Sequence, residues 1–489
     1  GMTTTAARPV RRALVASAAV AALLLGLAAA APAQALPPDA SPRFVQVDAN
    51  RSVWWGGPVA FGVTDDGRVF SWGQNSYGLL GLGPTMVTQV PTEITFPSLA
   101  ADDRIVQVSA GDTHALAVSD HGVVYAWGLD DNGQLGADVT GTQDSPVMVT
   151  SFPNLGGARI VQVSASSFGH SLAVSSSGQV YAWGSNGQGQ LGDGTLTRRT
   201  TPQLVIAGGI AQVTAGNAMS HAVGWDGTVY AWGFNGDGRL GAGNTADRTS
   251  PAAISFPSLG GDRVVQVAGG IASGIALTEQ GRIYTWGVNY NGVLGRGFGA
   301  LDTDTPTLVP ISGLAADERV IAVDAGDYFA IALTSEGRLL TWGDNWYGQL
   351  GLGDTSDRPT PTLVPASSFP AVLDGAPIAA IGAGDFGTVV ASATGGVYAA
   401  GQVGGALGDS TNPTRPTRTF TSIRLAALNG TVELSADPRV GYVVTAETTG
   451  WNAGAVLSYE WLLDGDPFAG ATDASYRPDP ARLTAPAPS

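Results

Sequence analysis

The chain contains no cysteine and no lysine among its 489 residues, and it has only four histidines. Without cysteine there can be no disulfide, so stability has to come from packing alone. The 24 basic residues are all Arg, set against 40 acidic ones, for a formal charge of −16. A surface of that sign is poorly suited to nucleic acid. It serves solubility, or it attracts a basic partner. The sequence also lacks an HExxH motif and any compact metal-ligand cluster, and no Ser or Asp recurs beside the histidines in a triad arrangement. Neither a metal nor any other cofactor is expected, and no catalytic residue stands out.

What the chain does have is repetition. Trp72, Trp127, Trp183, Trp232, Trp286 and Trp342 each precede Gly, and Ala400-Gly401 stands in a seventh slot. The spacings are 55, 56, 49, 54, 56 and 58 residues. Five residues before each origin stands a glycine, from Gly67 to Gly395, often as Asp-Gly or Glu-Gly, a tight-hairpin signal. Two residues before it comes an aromatic, with Leu340 as the exception. Tyr-x-Trp is thus a period-2 strand with one aromatic face. Upstream lie an apolar strand with small residues on its second face, such as Leu116-Ala117-Val118, and a Val-x-Val strand. Downstream, a Pro-led apolar piece such as Pro146-Val147-Met148-Val149 supplies a fourth. Four short strands per unit and seven units predict an all-β, seven-bladed β-propeller over residues 43–424.

The flanks read differently. Residues 1–35 have the pattern of a secretory signal: Arg8, Arg11 and Arg12, an Ala/Leu-rich middle, and Ala33-Gln34-Ala35 as a small-x-small cleavage site. An uncleaved N-terminal anchor is the alternative. Cleavage would leave no membrane span and place the protein outside the cell or on its surface. After residue 425 the repeat stops, and residues 426–480 alternate like sandwich strands around Trp461. That length falls short of a full immunoglobulin sandwich, so a small, incomplete Ig-like module is expected, with a disordered tail at 481–489.

The repeat residues carry a family resemblance. Gly111-Asp112-Thr113-His114-Ala115-Leu116-Ala117 and His170-Ser171-Leu172-Ala173, followed by Tyr181-Ala182-Trp183-Gly184-Ser185-Asn186, resemble the regulator-of-chromosome-condensation (RCC1-like) repeat. The resemblance implies the same propeller fold. It also extends to a secreted bacterial β-lactamase inhibitor, a seven-bladed propeller with aromatic-rich loops. The family's eukaryotic namesake is a nuclear exchange factor for a small GTPase, a role that export argues against here. The C-terminal stretch resembles an Ig-like repeat common on secreted bacterial proteins.

Candidate site residues are those that depart from the repeat. His114 and His170 share one column and read as structural, whereas His221 falls in an apolar column. For His221 a slipped register, a buried neutral ring and a site residue all remain open. Asp130-Asp131-Asn132 reads as a solvated turn rather than a calcium loop. The glycine patterns at 187–192 and 236–241 lack the following helix that phosphate binding needs. Copy one carries an insertion with Trp54 and Trp55, and the Asn-x-x-Gly loops carry Tyr77, Tyr290, Trp346 and Tyr347. Such aromatics pack over blade edges or form a recognition surface, and we place the partner site there. The expected function is a monomeric, non-enzymatic scaffold binding an extracellular protein or a cell-wall glycan. An inhibitor of an extracellular enzyme and a polysaccharide-acting enzyme are the alternatives.

Overall fold

The computed structural model describes residues 43–50, 58–84, 87–370, 376–402 and 417–423, with short strand segments beyond 430. Residues 1–35, Trp54, Trp55, Trp461 and the tail 481–489 lie outside the described residues. The chain divides into two compact units, 1–424 and 425–489.

In the first unit, seven four-stranded antiparallel sheets follow one another, and the strands of each pair in sequence order. The inner strands are Phe44–Ala49, Ile105–Ala110, Ile160–Ala165, Ile210–Ala215, Val264–Gly269, Val320–Ala325 and Ile378–Ala383. All seven second strands are buried along their whole length, because each is covered by a neighbouring blade on either side. Opposite the Trp of its own blade each of blades 1 to 6 carries a small residue, Ala60, Ala115, Ser171, Ser220, Gly274 or Ala330. A Cβ added at Gly274 would stand 2.3 Å from the Trp286 indole.

Neighbouring blades are joined by three recurrent devices. The first explains why Trp-Gly and Leu-Gly return together. In blades 2 to 6 the indole N–H donates to a carbonyl in the preceding blade: Trp127 to Leu79 at 2.8 Å, Trp183 to Gln134 at 2.8 Å, Trp232 to Gln190 at 2.9 Å, Trp286 to Arg239 at 2.9 Å and Trp342 to Val293 at 2.8 Å. The second is an amide clamp on the inner strands. Gln46 donates to Val108 O at 2.8 Å and accepts from Val108 N at 3.0 Å. Gln107, Gln162, Gln212 and Gln266 make the same pair of bonds to Val163, Val213, Val267 and Val323. The third device places the hairpin glycine of one blade against the residue that opens the next. Gly67, at φ +86°, lies against Arg104.

The last of these devices closes the ring. Gly395 of blade 7 lies against Arg43 of blade 1, and Asp385 N donates to Asn50 O at 3.1 Å. Ala380 and Gly382 occupy the clamp columns of blade 7, so the amide clamp is not formed at this seam. Instead, the backbones approach so closely that a Cβ at Gly382 would stand 2.9 Å from Val47 O.

Copy seven is repacked rather than eroded. Gly351 faces Phe420, where the same glycine in other blades faces a tryptophan. Phe420 stands in the column filled by Pro146, Pro202, Pro251, Pro306 and Pro361, so the Trp-plus-Pro pair becomes Ala400 plus Phe420. Phe369 stacks on Phe420 with ring centroids 4.5 Å apart.

In the second unit, Thr431–Leu434, Val444–Thr449 and Ser475–Tyr476 form a three-stranded sheet, and Leu462–Leu463 pairs with Asp466–Pro467. Most of the strands on which the immunoglobulin-like reading rests lie outside the described residues.

Candidate functional site

In an antiparallel meander, the inner-to-second and third-to-outer connections emerge at the same end of every blade; we call this the upper face. Among the described residues nine large apolar side chains are exposed, and six of them (Phe168, Leu196, Tyr290, Phe298, Leu301 and Trp346) lie on these upper connections. Three of the six come from one loop, in blade 5, and Trp346 comes from the equivalent loop of blade 6.

The third-to-outer loops of blades 5 and 6 are held in shape by their second residue. Asn289 Oδ1 accepts from Leu294 N at 3.1 Å, while its Nδ2 donates to Gly297 O and Ala300 O at 3.1 and 2.8 Å. Asn345 does the same, accepting from Leu350 N at 3.0 Å. Asp130 fills this position in blade 2, accepting from Leu135 N at 2.9 Å. That bond accounts for Asp130 without calcium, and no cluster of three metal-ligating side chains occurs among the described residues.

Anchored in this way, the third-to-outer loops of blades 5 and 6 lean on the inner-to-second turns of blades 6 and 7. Tyr290 packs on Tyr328 with centroids 5.2 Å apart, and Tyr347 packs on Phe386 at 4.5 Å. Tyr290 remains 59 % exposed and Trp346 74 %. Beneath them Asp344 is buried, accepting from Asn291 Nδ2 at 2.7 Å and from Gln349 Nε2 at 2.6 Å. Burial pushes the Asp344 carboxyl above its usual range. Burial likewise raises the Tyr328 hydroxyl, reinforced by the negative charge of Asp327 and by Tyr290, Asp385 and Asp344 around it. Blades 5 to 7 thus present an aromatic platform set over a group of acidic side chains.

Three of the aromatics singled out in the sequence, Tyr290, Trp346 and Tyr347, lie on the third-to-outer loops of the neighbouring blades 5 and 6. Tyr77 does not. It sits in the equivalent loop of blade 1, with φ +58°, and the adjoining Gly78 packs on Asp144 of blade 2. The sequence reading missed Tyr328 and Phe386. Their signal was available in Gly326-Asp327-Tyr328 and Gly384-Asp385-Phe386, where the equivalent turns read Gly111-Asp112-Thr113 and Gly216-Asn217-Ala218.

The histidines lie away from this platform. His221 keeps the blade register, pairing with Ala231 as Leu172 pairs with Ala182, so no slip has occurred. It is a buried ring set edge-on to Trp286 at 5.6 Å, with its pKa lowered by burial to about 4. His114 and His170 are buried too, and burial lowers each to about 3. All three are neutral at physiological pH and serve packing.

A domain family described as the RCC1-like domain (WD40_RLD) matches residues 24–372. The chain belongs to the RCC1-like domain family. It is 33 % identical over 310 residues to the ultraviolet-B receptor UVR8 of Arabidopsis thaliana, covering 63 % of this chain and 67 % of that one. It is also 32 % identical over 315 residues to the human E3 ubiquitin-protein ligase HERC2, covering 63 % of this chain but 6 % of the ligase. Among solved structures, human WBSCR16 aligns with TM-score 0.60 and 25 % identity, over 73 % of this chain and 88 % of that one. Prp20p of Saccharomyces cerevisiae, described with its binding to Gsp1p and histones, aligns with TM-score 0.62 and 24 % identity, over 78 % and 89 %. Prp20p shows the shared fold alone.

Proposed function

We propose that this RCC1-like propeller is a non-enzymatic interaction scaffold whose upper face, on blades 5 to 7, binds a protein partner outside the cell. The observation that carries this reading is the platform itself: Trp346 and Tyr290 exposed on anchored loops of neighbouring blades, with the buried carboxylates of Asp327, Asp344 and Asp385 around Tyr328. Large rigid aromatics give contact area at little conformational cost and dominate interface energetics. Aromatic faces beside carboxylates suit arginine or lysine side chains, through cation–π and ionic attraction together. The partner segment is therefore basic, in keeping with the acidic charge of the chain. The match to a receptor, UVR8, supports a binding role, and the match to the ligase HERC2 spans only 6 % of that protein. Secretion rests on the pattern of residues 1–35.

The test is capture from concentrated culture supernatant and, separately, from cell-wall polysaccharide, using wild type, Trp346→Ala/Tyr290→Ala and Trp54→Ala/Trp55→Ala. Retention of a protein by wild type, reduced about tenfold or more in the first variant, supports the reading. Equal retention by that variant contradicts it, and retention of polysaccharide alone favours the glycan-binding alternative.

A further inference from the structure

One junction in the ring lacks a part that three others possess. The connections from one blade's outer strand to the next blade's inner strand run along the lower face. In three of them a phenylalanine folds back over the next blade's Tyr and Trp. Phe96 lies 5.0 Å from Tyr125 and 5.9 Å from Trp127, and Phe152 lies 5.2 Å from Tyr181 and 5.9 Å from Trp183. Phe256 lies 5.6 Å from Tyr284 and 5.8 Å from Trp286. A proline follows each Phe, and the tyrosine hydroxyl binds just beyond it. Tyr125 donates to Pro97 O and Tyr181 to Pro153 O, both at 3.0 Å, and Tyr284 donates to Ser258 O at 3.2 Å.

Between blades 3 and 4 the connection shrinks to Ala207-Gly208-Gly209, and the Trp183-to-Trp232 spacing falls to 49 residues. The seat is then empty. A cleft of about 580 Å³ opens there, bordered by Ile206, Gly208, Trp225, Tyr230 and Pro251. Tyr230 is half-buried, whereas Tyr125, Tyr181 and Tyr284 are fully covered, and its hydroxyl makes no hydrogen bond among the described residues. A second departure falls at the same place. The hairpin position occupied by Asp65, Asp120, Ser176, Glu279, Ser335 and Ala393 in other blades is Trp225 here, 54 % exposed. The blade thus loses its own aromatic cover and gains an aromatic at the rim.

We propose that this cleft docks an extended segment of a partner protein containing Phe-Pro, seated as residues 96–97, 152–153 and 256–257 are seated in their own blades. Phenylalanine would lie on Tyr230 and against Trp225, and the Tyr230 hydroxyl would donate to the carbonyl that follows. The occupant is not this chain's own. Its four Phe-Pro pairs, at 96, 152, 256 and 369, all lie in its own connectors. The site is on the lower face and stands independently of the platform on blades 5 to 7.

The probe is a fluorescein-labelled peptide, acetyl-Ser-Phe-Pro-Ser-Leu-Gly, titrated against the full chain and read by anisotropy. Saturable binding is expected, weakened about tenfold when the peptide Phe is replaced by Ala. Trp225→Ser, at an exposed position, is expected to weaken binding about fivefold or more, with circular dichroism unchanged. A chain in which Ala207-Gly208-Gly209 is replaced by the sequence of residues 255–263 carries its own plug and should lose the peptide. Absence of saturable binding by wild type overturns the proposal, as does undiminished binding by the plugged chain or by Trp225→Ser.

Discussion

His114 Nε2 lies 2.8 Å from Ser171 Oγ, so a buried imidazole of blade 2 is bonded to a strand of blade 3. Ser171 gives its own proton to Gln134 O at 2.7 Å, the carbonyl that also receives the Trp183 indole. The imidazole is therefore the donor, in its neutral Nε2–H form, and His170 repeats the arrangement with Ser220 at 3.0 Å. Nδ1 of each ring has no hydrogen-bond partner among the described residues, so a second proton would be buried without an acceptor.

This sets the sign of a pH dependence. The folded pKa values, about 3 for His114 and His170 and about 4 for His221, lie below the unfolded value of 6.5. Between these limits the unfolded chain binds more protons, so stability is complete above 6.5 and declines as pH falls. The slope approaches ~1.4 kcal/mol per pH unit for each ring. Urea unfolding at intervals from pH 7.5 to 5 should show it. His114→Met/His170→Met, using the residue that stands at Met219 in blade 4, should flatten it. An identical slope in the variant would contradict the assignment.

Blade 7 offers a packing test. Ala400 and Phe420 replace the Trp and Pro of other blades within one core. Ala400→Trp alone overfills that space and should cost about 1–3 kcal/mol. Phe420→Pro alone empties it and should cost about 3–5 kcal/mol. The double variant restores the common pair, and its cost should fall below the sum by about 1 kcal/mol or more in a double-mutant cycle. Strict additivity would mean that the two residues do not compensate each other.

The amide clamps predict where the ring is most easily weakened. Gln212→Ala leaves Val267 N–H and C=O, both buried at the blade 4–5 junction, without their partners. The expected cost is about 1–3 kcal/mol. Melting temperature measured beside a surface control would decide it, and no change would show that the backbone groups find other partners.

Sequence alone made the propeller legible because its devices need fixed residue types at fixed spacing. The indole must reach the preceding blade, and the hairpin glycine must accept the next strand at positive φ. The repair at Phe420 was hidden, since the compensating change lies 20 residues from Ala400 and faces it only in the folded blade. Among site residues, Tyr290, Trp346 and Tyr347 could be found because they interrupt a repeated loop. Tyr328 and Phe386 escaped notice because their turns are short and variable, and their meaning comes from the neighbouring blade that leans on them. The 49-residue spacing was visible from the outset, but only the other connectors show what it omits.

The most direct test of the upper-face assignment separates shape from charge. Trp346→Ala/Tyr290→Ala leaves the net charge of the chain unchanged, so a general attraction for cations would survive it. Titrating a labelled hexa-arginine peptide at 0.15 M salt against wild type and this variant, and reading both affinities by anisotropy, compares the two effects. The platform predicts a loss of about tenfold or more in the variant, with the same melting temperature. Equal affinities would show that the aromatics take no part in recognition and would contradict the account.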